Sequence, residues 1–203
     1  KDCEDSATRS YAHLIMLGCG NFASQPPALL QLAFATLMRE HCLSADGTCC
    51  AFDPVCTPLE VAACTALGMA LAPDLEGKYH PETLPSGRTL AFLPHCPIHL
   101  YGNLVWAHWE HLQHLTIVGN SFDGIATRRA LLGVDQGGDH GRHGGDCLHL
   151  VAAAVQETPL VVGLAGSKQA RSVSGIMAHA DHAFGDTAVI RFTSSIEASA
   201  PSA

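Results

Sequence analysis

The sequence predicts an α/β fold: one Rossmann-like, doubly wound domain built on a mostly parallel sheet. Three observations predict it. Leu14 to Leu17 is a short apolar run of the kind a strand buried on both faces needs. Gly18 and Gly20 follow at once, and Ser24-Gln25-Pro26-Pro27 then opens a helical pattern. Strand, glycine loop and helix in that order begin a doubly wound domain. Short apolar runs and helical stretches then alternate along the chain, as crossover units require.

In the first helix Ser24 is the expected cap, and proline is tolerated in a first turn because its missing N–H would have no partner there. Leu29, Leu30, Ala33, Phe34, Leu37 and Met38 form its predicted buried stripe. His41 to Thr48 reads as a polar turn around Asp46-Gly47, followed by a short strand, Cys49 to Phe52, that ends at Asp53. Thr57-Pro58-Leu59-Glu60 is a helix start. Threonine caps, proline takes the first position, and the glutamate reaches back to the cap's N–H. That helix runs to Leu67 and stops at Gly68.

Met69 to Ala72 is a third, short strand, and the polar stretch from Asp74 to Gly87 is loop. Thr89 to Leu93 is a fourth strand, closed by the stiff turn Pro94-His95-Cys96-Pro97. A helix from Ile98 to about Glu110 carries too many large apolar groups to face solvent. Leu115 to Val118 is a fifth strand leading into Gly119-Asn120-Ser121. Leu132 to Gly145, rich in Gly, Asp and His, reads as a mobile insertion. Cys147 to Val155 is expected as helix, and Leu160 to Leu164 and Ala188 to Phe192 as strands. The domain spans residues 12–193, and 194–203 is a disordered tail.

Composition narrows the function. At 203 residues the chain is long enough for a self-sufficient core. With 11 basic against 19 acidic residues the net charge is -8, which disfavours non-specific nucleic-acid and anionic-membrane binding. No apolar run reaches the roughly 20 residues a membrane span needs. The polar opening, Lys1 to Ser10, shows no signal-peptide pattern. Nine cysteines without a C-x-x-C pair read as reduced thiols, with Cys19, Cys50, Cys64 and Cys96 in or beside the core. Among the 13 histidines, His108, His111 and His114 recur at three-residue intervals, and His140, His143 and His149 fall in or near the insertion. They read as solvated side chains, and no metal site is assigned.

In a parallel sheet the strand C-termini share one rim, and ligands bind there at the switch point. That rim gathers Gly18, Gly20 and Asn21, then Asp53, then His95 and Cys96, then Asn120 and Ser121. These eight are the candidate ligand-binding residues, and none is assigned a catalytic role. The loop matches a dinucleotide fingerprint with Ala23 in the third glycine position. Asp53 stands where nucleotide-binding folds hold a ribose hydroxyl, although further from the glycines than the usual ~20 residues. Both features also have purely structural readings, as a tight turn and as the carboxylate opening Asp53-Pro54.

Five blocks carry a family resemblance: LIMLGCGNFASQPPALLQLAFATLM, AFDPVCTPLE, LAFLPHCPIHLYGNLVWAHW, LTIVGNSF and HAFGDTAVIRF. Together they resemble the "sensitivity to red light reduced" (SRR-like) family of plants, fungi and animals, over about residues 12 to 193. The family typically has asparagine near Gly185, where this chain departs from it. The resemblance implies a regulatory protein, cytoplasmic and/or nuclear, linked to the circadian clock, light signalling and regulation of heme biosynthesis, with protein partners. It implies no established catalytic activity.

Two ligand readings stand beside it. The glycine loop and Asp53 suit S-adenosylmethionine, making the chain a binding protein or a methyltransferase. Cys96-Pro97 has the form of a heme regulatory motif, with His95 and His99 near enough for a second axial ligand. A protein scaffold whose loop binds nothing is the remaining class. A serine hydrolase is excluded, because Gly119-Asn120-Ser121-Phe122-Asp123 is not a nucleophile elbow.

Overall fold

The computed structural model describes residues 10–80, 87–132, 147–161 and 174–193. Its elements are β1 (Tyr11–Leu17), α1 (Pro26–Cys42), β2 (Leu43–Phe52), α2 (Pro58–Ala66), β3 (Ala70–Leu71), β4 (Thr89–Leu93) and α3 (Ile98–Ala107), then β5 (Leu115–Asn120), α4 (Phe122–Leu132), α5 (Cys147–Val151), β6 (Val155–Pro159), α6 (Ser174–Phe184) and β7 (Thr187–Phe192). The seven strands form one sheet in the order β3-β2-β1-β4-β5-β7-β6. Strands β1 to β5 are parallel, and β7 runs antiparallel between β5 and β6. The fold is therefore α/β on a mixed, mostly parallel sheet.

Both faces of the sheet are covered, so the central strands are apolar along their length. On β1, Leu14 and Met16 pack toward α1, while Ile15 and Leu17 pack toward α3. All five residues of β4 are buried. This is the burial that the run Leu14 to Leu17 demanded.

Several boundaries differ from expectation. Residues 43–48 belong to β2, with an irregularity where the turn is expected: Tyr11 pairs with Leu43 but His13 already pairs with Thr48, so 44–47 bulge between those two pairs. The buried face of α1 is Ala28, Gln31, Leu32, Ala35 and Met38, whereas Leu29 and Leu37 remain 52% and 51% exposed. Of the predicted stripe, Met38 is buried, and Leu30 and Phe34 are partly buried against the core, Phe34 beside Phe92 and Phe184, while Leu29, Ala33 and Leu37 face outward. Ser24 does not cap α1. The cap position is Gln25, and the Ser24 N–H is taken up by Asn21 Oδ1 at 3.1 Å.

The third helix ends at Ala107, and a 3-10 turn over Trp109–His114 follows it. His108, expected in solvent, is 1% exposed at the junction, while His111 and His114 are exposed. Helix 147–155 is α5 plus a 3-10 turn, Ala152–Ala154, and the strand expected from Leu160 lies instead at Val155–Pro159. Pairing with β7 sets that register: Val155 lies opposite Phe192. Cys50 is only partly buried, while Cys19, Cys64 and Cys96 are core residues. Most of the expected insertion (133–145), the loop residues 81–86, the end of the expected strand (162–164) and the tail 194–203 lie outside the described residues.

Candidate functional site

The order of the sheet reverses direction between β1 and β4, since β2 and β3 lie on one side of that pair and β5 on the other. Crossover helices diverge at such a point and leave a crevice outside the strand C-termini. A cleft of about 690 Å³ opens there, within the range of small-molecule sites. Gly18, Gly20 and Asp53 line one part of it, and His95 and Cys96 another.

The glycine loop is held from several sides. Gly18 and Gly20 have φ of 69° and 60°, the left-handed region that favours glycine. A Cβ on Gly18 would lie 2.4 Å from Cys96 Sγ, so the absent side chain leaves the place that the Cys96 thiol fills against the loop. Gly18 donates its N–H to Phe52 O at 3.1 Å, and Gly20 donates to Asp53 Oδ2 at 2.7 Å. The other carboxylate oxygen of Asp53 accepts from Val55 N at 2.8 Å. Asp53 thus ties the loop to the tip of β2, and each of its oxygens keeps a further lone pair for a ligand.

The capping box at α2 forms as expected. Thr57 Oγ1 accepts from Glu60 N at 3.4 Å, and Glu60 Oε2 accepts from Thr57 N at 2.8 Å. Its second oxygen, Oε1, accepts from Ala23 N at 3.1 Å, so the cap also anchors the glycine loop. These N–H groups hold the Glu60 carboxyl below the usual carboxylate range, with Thr57 the largest contributor.

Cys96 is 6% exposed, and its thiol donates to Leu17 O at 3.4 Å. Burial, with Asp53 adding to it, pushes the thiol up to about 12. Burial likewise raises Cys19, with Cys56 and Asp53 adding to it. These are protonated thiols at neutral pH, poor as nucleophiles and as metal ligands.

The comparisons with known proteins agree on one family. Residues 3–191 match the SRR1 domain. The chain belongs to the SRR1 domain family. It is 36% identical over 126 residues to an SRR1-like protein of Mus musculus, covering 61% of this chain and 49% of that one. It is 32% identical over 111 residues to the Arabidopsis thaliana protein SENSITIVITY TO RED LIGHT REDUCED 1, covering 54% and 39%. An SRR1-like protein of Drosophila melanogaster is 34% identical over 113 residues, with the same coverage of 54% and 39%. The chain thus spans about half the length of these relatives or less. No solved structure matches it.

In this SRR1 domain the eight rim residues divide into two sets. Gly18, Gly20, Asp53, His95 and Cys96 line the cleft. Asn21, Asn120 and Ser121 are not among its lining residues. Asn21 closes the turn before α1. Ser121 precedes α4 and accepts from Gly124 N at 3.0 Å, a capping role. Asn120 acts through a neighbour, because its Oδ1 accepts from His95 N at 2.8 Å. Asn120 is itself held by its N–H to Tyr101 Oη at 2.8 Å, while that hydroxyl donates to Leu93 O.

Sequence reasoning missed Gln31, Glu76 and His182, which also line the cleft. Gln31 sits on the buried face of α1, and its amide donates to Ala183 O at 2.9 Å. His182 belongs to α6, a helix that the sequence reading did not assign. Only the positive φ of Glu76, 51° beside Gly77 at 83°, has a sequence signal, the glycine itself. The side chains of the cleft wall that carry formal charge are Asp53, Asp74 and Glu76, with no lysine or arginine. Among the described residues no group of three or more His, Cys, Asp or Glu is arranged to hold a metal ion, and no helix is long and apolar enough to cross a membrane.

Proposed function

We propose that this SRR1 domain is a regulatory, Rossmann-like module that binds S-adenosylmethionine in the cleft between the ends of β1 and β4. The observation that carries the reading is the glycine loop at the switch point, tied to a β2-tip carboxylate by the 2.7 Å bond from Gly20 to Asp53. In that geometry a nucleoside lies over the glycines with its ribose hydroxyls on the carboxylate. The sheet adds a likeness of fold: its strand order reverses between β1 and β4, the place where open, doubly wound sheets bind their ligands. A likeness of fold supports a ligand class and does not assign a reaction.

Two features favour this ligand over a dinucleotide. Pro26 and Pro27 open α1, so the helix N-terminus lacks two of the N–H groups that would cradle a pyrophosphate. The charged groups of the wall are carboxylates, which repel phosphates and attract a sulfonium and an ammonium. Heme through Cys96 is less well supported. A thiolate ligand requires a deprotonated, accessible sulfur, and this one is a buried thiol.

The role in the cell follows from kinship. The Arabidopsis relative is named for reduced sensitivity to red light. We extend that to this chain as a part in light and clock signalling, and in the regulation of heme biosynthesis that the family resemblance implies, exerted through protein partners in the cytoplasm or nucleus. If the domain has an activity of its own, it is methyl transfer.

Calorimetric titration with S-adenosylmethionine tests the ligand. Saturable one-to-one binding is expected, weakened at least about tenfold by Asp53→Asn, which removes a charged acceptor. Absence of heat with the folded wild-type chain overturns the reading.

A further inference from the structure

Resting on that reading, we infer that His95 is the residue that makes the cleft specific for the α-ammonium of an amino-acid-bearing nucleoside, with its Nδ1 as the acceptor. His95 is held in an unusual place. It follows β4 directly and has φ of 55°, a left-handed conformation that only a few per cent of non-glycine residues adopt, histidine more often than most. Such a residue persists where its surroundings hold it, and the hold here is visible. Its backbone N–H goes to Asn120 Oδ1 at 2.8 Å, and its ring Nε2 lies 3.0 Å from Ala183 O.

The second contact determines the ring's chemistry. A carbonyl oxygen only accepts, so Nε2 carries the proton in the neutral imidazole and Nδ1 carries the lone pair. Ala183 O also accepts from Gln31 Nε2 at 2.9 Å, which uses both of its lone pairs. Among the described residues Nδ1 has no partner. An oriented acceptor in a cleft whose formal charges are all negative suits a cationic donor.

Placement selects which donor. Asp53 follows β2 and His95 follows β4, on either side of β1. Strands two places apart are separated by roughly 10 Å. A ribose on Asp53 therefore leaves the tail of the ligand to reach across β1 toward His95. Asn120 is a positioning residue in this arrangement, acting on the ligand through the His95 backbone.

The test compares S-adenosylmethionine with its deaminated analogue, in which a carbonyl replaces the α-ammonium and the sulfonium is kept. The wild-type chain is expected to prefer S-adenosylmethionine by about tenfold. His95→Asn, which tolerates the left-handed backbone, should bring the two ligands to within about twofold, because it weakens S-adenosylmethionine more than the analogue. Asn120→Ala should narrow the preference in the same direction. Independently of any ligand, ring nitrogen shifts at a pH where the imidazole is neutral should show Nε2 protonated and Nδ1 bare. An unchanged preference in His95→Asn, equal loss of both ligands, or a protonated Nδ1 overturns the inference. Failure of the wild-type chain to bind either ligand overturns the S-adenosylmethionine reading and this inference with it.

Discussion

His108 sits where water does not reach, at the end of α3, with 1% of its surface exposed. Its Nδ1 lies 3.0 Å from Leu104 O, and its Nε2 has no partner among the described residues. Burial, opposed by the Leu104 contact and aided by His80, His111 and His13, lowers its pKa from 6.5 to about 4. A histidine that resists protonation when folded binds more protons when unfolded. Its contribution is therefore whole above the unfolded value and declines as pH falls from about 6.5 toward 4. The full range is worth about 3 kcal/mol, of which about 2 kcal/mol is lost by pH 5. Urea midpoints at pH 7 and pH 5 measure this, and His108→Gln should flatten the difference. An equal drop in the variant would place the pH sensitivity elsewhere.

At the scale of elements, the N-terminus of α2 combines local chemistry with a tertiary role. The capping box was legible as Thr57-Pro58-Leu59-Glu60, because it depends on residues three apart. Its second task was not legible. Glu60 Oε1 reaches Ala23, 37 positions earlier in the chain, and no local rule relates them. Thr57→Ala should cost about 1 kcal/mol and lower the melting temperature by ~2–4 °C. Because the freed Glu60 also holds Ala23, the glycine loop should exchange its amide hydrogens faster in this variant. Unchanged exchange at Gly20 to Ser24 would show that Asp53 alone secures the loop. Helices α4 and α6 were legible to different degrees. The first has Gly124 and two arginines and only a weak apolar pattern, whereas the second carries Ile176, Met177, Ala180, Ala183 and Phe184 at helical spacing, a stripe legible in the sequence that the sequence reading did not assign. Phe122 and Ile125, and Ala180, Ala183 and Phe184, are enough to dock them, because the sheet supplies the rest of the apolar surface.

The whole molecule is a sheet whose centre and edges differ in protection. Strands β1, β4 and β5 have neighbours on both sides and helices over both faces, while β3 is two residues long and β6 is an outer strand. Native-state hydrogen exchange should therefore be slowest in β1, β4 and β5 and fastest among the strands in β3 and β6. Comparable protection in β6 and β4 would mean that another segment or partner covers that edge. Along one strand and the next loop, the sequence alone determined much. The buried runs of β1 and β4, the glycine turn, the α2 cap and the rim positions of Asp53 and His95 all follow from burial period and turn chemistry, which act over a few residues. Only the tertiary structure decided the reversed β7, the buried face of α1, and the set of rim residues that share the cleft. Those depend on contacts such as Ala183 with Gln31 and His95, or Glu60 with Ala23, made between residues far apart in the chain and near in space. Local propensity carries no information about them, since they are settled when the helices pack onto the sheet.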